Sequence, residues 1–231
     1  MTFKEFEKAL IIAPHADDES IGCGGFMTMF AQKCDVIILT DGAKGAYGSY
    51  LKQTKDEYVN TRIEEAKNAM SSIGVNNLQF LNLPDGKVYC NEMRVIKLDL
   101  SQYDYVFVPN RNESHIDHRV VYQLVKLNKL LHLSRFQIVE YEVWTPMTRP
   151  NVFLDISRFI NEKRELINKY TSQLEDVDYI KRSMGLNQYR GIVDNVEYAE
   201  AYQINSIDYT IRKVLSIFPE RAKECLRKIK L

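Results

Sequence analysis

The stretch that decides the fold is an apolar run followed at once by an acidic motif that contains a histidine. It reads Ala9-Leu10-Ile11-Ile12-Ala13 and continues as Pro14-His15-Ala16-Asp17-Asp18-Glu19. Five consecutive apolar residues are typical of a strand that is buried on both faces of a sheet. The proline and the polar residues behind it predict a turn, and a helix is expected over residues 19–31. The stretch therefore predicts a strand, a polar turn and a helix, in that order.

Outward from this stretch, the chain continues to alternate between predicted strands and predicted helices. Strands are predicted at residues 36–39, 78–83, 105–108 and 137–144, with a sixth at 152–156 that could be antiparallel. Helices are predicted around residues 59–73, 93–100, 121–131 and 160–174, whereas residues 185–202 are predicted to be irregular. Strands that alternate with helices indicate right-handed βαβ units. We therefore expect an α/β fold with a Rossmann-like, mostly parallel sheet and helices on both faces.

The composition is that of one ordinary globular domain. The chain has 231 residues, with Lys+Arg and Asp+Glu at 31 each, so no global field would gather nucleic acid. The four cysteines are widely spaced, which predicts a reducing, cytoplasmic setting without a disulfide framework. The N-terminus is too charged for a signal peptide, and no uncharged stretch is long enough to span a membrane. We expect a single domain over residues 1–231, with a helical C-terminal extension at about residues 205–231.

A second motif, His115-Ile116-Asp117-His118, follows the predicted strand 105–108. Three of the four histidines of the chain thus lie in two short acidic motifs. Asp41 and Asp85 also follow predicted strands. In open α/β sheets, ligands bind beyond the carboxyl ends of the strands, so these polar groups are expected to meet at one edge.

Imidazole and carboxylate groups together indicate a metal site. Catalytic zinc usually takes three protein ligands and a water, and His15, Asp18 and His118 could supply those three. Asp17 and His115 would then stand beside the metal as acid or base groups. In the alternative interpretation, the acidic residues after His15 only cap a helix. The second cluster argues for the metal site, and its Asp117 could fix the tautomer of a neighbouring imidazole.

Two other segments leave alternatives open. Gly22-Cys23-Gly24-Gly25 lacks the spacing of a phosphate-binding loop, so we expect close packing of the helix on the first strand. Cys23 is predicted to be a buried thiol and not a nucleophile. Residues 42–54 are glycine-rich and predicted to form a loop. The aromatic residues Tyr47, Tyr50 and Tyr58 either line a sugar site there or are simply exposed.

The first motif and the glycines behind it resemble the PHPDDE…GCGG signature of the N-acetylglucosaminyl-phosphatidylinositol de-N-acetylase family, the PIG-L or LmbE-like proteins. The resemblance covers roughly residues 8–205. Further matching segments are Thr40-Asp41-Gly42, Arg62-Ile63-Glu64-Glu65-Ala66, Leu81 to Gly86, the second motif, and Lys163 with Tyr170 to Gln173. Ala16 and Ile116 stand where the family usually or often has proline. Neither position would carry a ligand atom.

The resemblance implies an LmbE-like deacetylase with one zinc per chain, bound by His15, Asp18 and His118. Asp17 would be the general base, and His115 would stabilise the oxyanion or protonate the leaving amine.

Asp41 and Arg62 are candidates for contacts with substrate hydroxyl or phosphate groups. The implied partner is a small N-acetylated amino-sugar conjugate, with peripheral membrane contact only if the substrate is lipid-linked. Two alternatives stay open: a metal-dependent hydrolase of a phosphoester or a non-sugar amide, and a metal- or sugar-binding module without catalysis.

Overall fold

The computed structural model describes residues 3–75, 77–175 and 177–204. The strands in these ranges are β1 (Ala9–Ala13), β2 (Cys34–Thr40), β3 (Asn77–Leu83), β4 (Tyr105–Pro109), β5 (Gln137–Tyr141), β6 (Val152–Asp155) and β7 (Ala199–Ile204). They form one sheet in the order β3-β2-β1-β4-β5-β7-β6. The first five strands pair in parallel, and β7 runs antiparallel to both β5 and β6. The predicted mostly parallel α/β sheet is confirmed.

Helices cover both faces of the sheet. They are α1 (Asp18–Phe30), α2 (Lys55–Ile73), α3 (Glu92–Ile96), α4 (Ile116–Leu131), α5 (Ile160–Asn168), α6 (Thr171–Leu174) and α7 (Tyr179–Asp194). One buried cluster joins alternate β1 side chains such as Ile11 to α1, α2, α5 and α7. The other joins Leu10 and Ile12 to α3 and α4. Because both faces of β1 are packed against helices, the uninterrupted apolar run is explained.

The prediction that residues 185–202 are irregular was wrong, since they contain most of α7 and part of β7. The β7 strand escaped prediction because Glu200 interrupts its apolar pattern. Glu200 is nevertheless buried, and its carboxylate accepts the Gly25 and Phe26 N–H groups and contacts the Lys163 ammonium at 2.7 Å. The partners of this charge come from distant parts of the chain, so the strand could not be recognised locally.

The predicted strand 137–144 also ends earlier, at Tyr141. Glu142 leaves the ladder to pair with Arg190, while its carboxylate also accepts the Met147 N–H. β6 pairs antiparallel, as predicted, although the strand that runs against the rest of the sheet is β7.

The glycines of α1 do permit close packing, but on elements other than the first strand. A Cβ at Gly22 would clash with Tyr141 of β5, and one at Gly25 would clash with Ile156. Cys23 is buried and free, and burial raises the pKa of its thiol well above the usual value, as expected for a packing residue.

In the part of the chain that the structure describes, no helix combines the length and the apolar character needed to cross a bilayer. The extension predicted at about residues 205–231 lies outside the described residues, so the single-domain boundary stays a prediction.

Candidate active site

Three side chains from the two motifs converge at the carboxyl ends of β1 and β4. His15 Nδ1 lies 3.2 Å from Asp18 Oδ2, and the same carboxylate oxygen lies 3.1 Å from His118 Nε2. The two imidazole nitrogens are 3.3 Å apart. Zinc–ligand distances of ~2.0–2.1 Å place tetrahedral ligands roughly 3.3 Å from one another. The three predicted ligand atoms therefore form a triangle of the size that a zinc ion requires.

The turn of the first motif is held in an unusual backbone conformation. Asp17 has a φ of 136°, in a region that disfavours side chains and costs on the order of 1–3 kcal/mol. Glu19 stabilises this turn by accepting the Asp17 N–H, and Arg62 Nη2 donates to the Ala16 carbonyl at 2.5 Å. Asp18 can then begin α1 and accept the His15 N–H at 2.9 Å. The strained conformation of Asp17 thus allows the Asp18 carboxylate to reach back to His15.

The outer nitrogen of His15 is fixed by carboxylates. Its Nε2 lies 3.2 Å from Asp85 Oδ1 and 3.6 Å from Asp117 Oδ2. Donation from Nε2–H leaves the Nδ1 lone pair directed at the triangle, an arrangement common for metal-bound imidazoles. Burial acts to raise the pKa of Asp85, but the hydrogen bonds from His15 and from the Lys44 N–H help to lower this pKa to about 2.

Asp117 has contacts besides its 3.6 Å approach to His15 Nε2. Its carboxylate accepts the N–H groups of Gly86 and Val88 at 2.8 and 3.2 Å. It thereby ties the turn after β3 to the start of α4. Its predicted role as a catalytic-site residue, which fixes the tautomer of a neighbouring imidazole, stays a prediction.

Asp17 combines burial with a cationic neighbour. Only 5% of its surface is exposed, and burial raises the pKa of its carboxyl well above the usual value. The Arg62 guanidinium, 3.5 Å from Asp17 Oδ2, opposes this shift. A carboxylate with a raised pKa is a better proton acceptor than an ordinary aspartate.

His115 is half-buried beside the two predicted ligands. Its ring centre lies 4.8 Å from that of His15 and 5.1 Å from that of His118. Its Nδ1 accepts the Asp117 N–H at 3.3 Å and so caps α4. In the neutral ring, the proton then sits on Nε2, which is available as a donor. Burial and the neighbouring imidazoles lower the pKa of His115.

The two predicted substrate-binding residues have internal contacts. Arg62 is 4% exposed, and its second contact is with the Gly42 carbonyl at 3.2 Å. Asp41 accepts the N–H groups of Ala43 and Asp85 and lies 2.9 Å from the Lys55 ammonium. Both residues therefore hold the loops around the site, and their contact with substrate stays a prediction.

The aromatic residues near residues 42–54 differ in exposure. Tyr47 is 53% exposed, and the Tyr50 hydroxyl lies 3.4 Å from Thr171 Oγ1. Tyr58 is buried, and its hydroxyl accepts from Gln173, so it cannot line a sugar site. The loop itself is tied to Glu175, which accepts the N–H and the hydroxyl of Ser49.

Sequence reasoning missed the carboxylates behind the triangle. Asp85 was expected at this edge without a role, Glu19 was taken only as part of a helix start, and Glu113 was not singled out. Glu113 lies two residues before His115, and its Oε2 is 3.9 Å from His118 Nδ1. An acidic residue next to a histidine motif was the one available signal.

Two further groups of side chains, each of which includes His15, have the spacing of metal ligands. Ligand atoms of His15, His115 and His118 lie within 4.8 Å of one another, as do those of His15, Asp85 and Asp117. The carboxylates of the second set face the Nε2 side of His15, where they serve as hydrogen-bond acceptors. The described residues can therefore hold a divalent metal, and the Nδ1 side of His15 fits it best.

Comparisons with known proteins match both motifs to a known family. The family model for PIG-L, GlcNAc-PI de-N-acetylase, matches residues 10–127, which include both motifs. The diacetylchitobiose deacetylase of Thermococcus kodakarensis is 27% identical over 225 residues, covering 86% of this chain and 83% of that protein.

Solved structures share the fold. N,N'-diacetylchitobiose deacetylase from Pyrococcus horikoshii, complexed with its inhibitor MPG, matches with a TM-score of 0.75 at 23% identity, covering 88% of this chain and 85% of that one. GalB, the 4-carboxy-2-hydroxymuconate hydratase from Pseudomonas putida KT2440, matches with a TM-score of 0.71 at 18% identity, covering 85% and 95%. Given the family match over both motifs, this chain belongs to the PIG-L family.

Proposed function

We propose that the protein is a zinc-dependent hydrolase that removes the acetyl group from an N-acetylated amino-sugar conjugate and releases acetate. The observation that carries this proposal is the triangle of His15, Asp18 and His118, with sides of 3.1–3.3 Å. The substrate class is taken from relatives such as the diacetylchitobiose deacetylase.

The residues around the triangle have the properties that amide hydrolysis needs. Bound zinc would polarise the acetamide carbonyl and lower the pKa of a water toward ~7. Asp17 accepts the proton of the attacking water, for which its raised pKa suits it. His115 donates from Nε2–H to the charge that develops on the carbonyl oxygen, or to the leaving amine. Asp17 and His115 lie next to the triangle, but neither is one of its three proposed ligands.

Three residues are proposed to bind the sugar end of the substrate. Tyr47 offers a ring face on which a pyranose could stack. Asp41, which is partly exposed, and Arg62 are proposed to contact substrate hydroxyl or phosphate groups. A substitution of Tyr47 should therefore raise KM with little change in kcat.

The test is direct measurement of acetate from a panel of N-acetylglucosamine conjugates with zinc-loaded protein. Release of acetate and free amine in equal amounts supports the proposal. Because GalB is a hydratase with the same fold, the fold alone does not select the reaction. Turnover of a phosphoester or a non-sugar amide without acetate from any amino sugar would favour the alternative hydrolase. Metal binding without any turnover would favour a binding module.

A further inference from the structure

Two buried polar atoms face each other behind the triangle, and neither has a hydrogen-bond partner among the described residues. They are His118 Nδ1 and Glu113 Oε2, and 3.9 Å separates them. His118 is 0% exposed and Glu113 is 1% exposed. Buried polar atoms almost always find partners, so this pair requires an explanation.

The other oxygen of Glu113 is fully used. Glu113 Oε1 accepts the N–H groups of Val143, Trp144 and Thr145 at 3.0–3.1 Å, together with Asn110 Nδ2 at 3.2 Å. These donors hold the carboxylate in one orientation. Its free oxygen is consequently directed at the imidazole of His118.

We propose that Glu113 is a positioning residue that keeps the proton of His118 on Nδ1, so that Nε2 presents its lone pair to the triangle. The inference rests on the proposed metal site. The hydrogen bond forms when the ring moves by about 1 Å, which brings the two atoms to the ~2.7–2.9 Å of a charge-assisted bond. His15 has the same arrangement, since its outer nitrogen faces Asp85. Each predicted imidazole ligand is then oriented by a carboxylate of its own.

Glu113→Gln separates this role from a structural one. The Gln carbonyl oxygen still accepts the three backbone N–H groups of residues 143–145, and these donors prevent the amide from flipping. The amide nitrogen, however, replaces Oε2 and offers a proton to His118 Nδ1. That contact favours the tautomer with the proton on Nε2. In that tautomer Nε2 has no lone pair to bind the metal. We expect zinc affinity, measured by competition with a chelator, to fall 10–100-fold.

Glu142→Gln is the matched control. Glu142 is also buried and accepts the Met147 N–H in the same segment, but its described contacts do not include His118. Its substitution should leave zinc affinity within twofold of the wild type. An equal loss of affinity in both variants would show that Glu113 acts only by holding the segment, and would overturn the inference.

The nitrogen chemical shifts of the histidine rings provide a readout that needs no metal. The chain has four histidines, so His118 can be assigned with a His118→Gln variant. In the metal-free protein the Asp18 carboxylate, 3.1 Å from Nε2, can hold a proton on that nitrogen, so the diagnostic position is Nδ1. We expect a proton on Nδ1 of His118 in the wild type and none there in Glu113→Gln. A wild-type ring without a proton on Nδ1 overturns the inference even if the variant fails to fold. A wild type that has the Nδ1 proton but binds no zinc would refute the proposed function and leave the role of Glu113 intact.

Discussion

The two motifs of the site are built in opposite ways, although each contributes an imidazole to one cluster. In the first motif, Asp17 has a φ of 136°, and no side chain caps the helix that follows. In the second motif, His115 has an ordinary φ of −77° and caps its own helix. The backbone of the second motif is therefore held largely by its own residues. The first depends on support from elsewhere in the fold.

That support comes from three separate parts of the chain. The Thr40 N–H and hydroxyl of β2 both donate to the Pro14 carbonyl. Arg62 of α2 donates to the Ala16 carbonyl, and the Tyr170 hydroxyl donates to Glu19 at 2.5 Å. Substitutions at these distant positions should disturb the first motif more than comparable changes disturb the second.

The largest effect is expected where the two motifs meet. His118→Ala removes one corner of the triangle, so zinc content and acetate release should both fall to background. Metal analysis of the purified protein and the acetate assay measure the two losses. His132→Ala is the control, because His132 contacts the Ile96 carbonyl and takes no part in the site. Full zinc content in His118→Ala would show that the ligand assignment is wrong.

A large but selective effect is expected within the first motif. Asp17→Asn keeps the size of the side chain but removes the proton acceptor. We expect kcat to fall by about 10²–10⁴-fold while zinc content stays near that of the wild type. If zinc and turnover fell together, Asp17 would be a ligand and the role of Asp18 would have to be reassigned.

The difference between the motifs also explains what the sequence could predict. β1 and the strand-end positions of His15, Asp85 and His115 follow from local patterns, and all of these were predicted. The triangle follows from the rule that strand ends of a parallel sheet share one edge. The contacts that support it do not follow, because they join residues far apart in the chain. Glu19 and Tyr170, for example, are separated by 151 positions.

Buried carboxylates were the other source of error. Glu113 and Glu200 look like surface residues in the sequence, since an isolated glutamate is rarely buried without a partner. Their partners include several backbone N–H groups, which every residue carries and which no sequence pattern reveals. The β7 strand and the orientation of His118 were therefore beyond prediction.

Two arginines offer a smaller, direct comparison of the motifs. Arg62→Met removes a buried donor from the first motif and leaves the Ala16 and Gly42 carbonyls without it. We expect the free energy of unfolding to fall by roughly 2–3 kcal/mol. Arg119 donates to the Glu113 and Ser114 carbonyls beside the second motif, but it is exposed. Arg119→Met should cost less than about 0.5 kcal/mol. Chemical denaturation of both variants tests the comparison, and equal losses would contradict it.

The smallest predicted effect tests the backbone strain itself. At a φ of 136°, glycine is more readily accommodated than alanine, because a Cβ is disfavoured there. Asp17→Gly and Asp17→Ala both remove the carboxylate and its contact with Arg62. The difference between their free energies of unfolding therefore measures the cost of the backbone conformation. We expect the Gly variant to be more stable by about 1 kcal/mol.

Ile116, the first helical residue of α4, provides the reverse case. There Ala should be more stable than Gly by about 0.5–1 kcal/mol, because glycine loses more conformational freedom when it becomes helical. Urea unfolding of the four variants gives both differences under the same conditions. The difference in unfolding free energy between the Gly and Ala variants should therefore have opposite signs at positions 17 and 116. If Ala were also the more stable residue at position 17, the turn would not be strained. The distant contacts would then hold the ligands in place without having to offset an unfavourable backbone conformation.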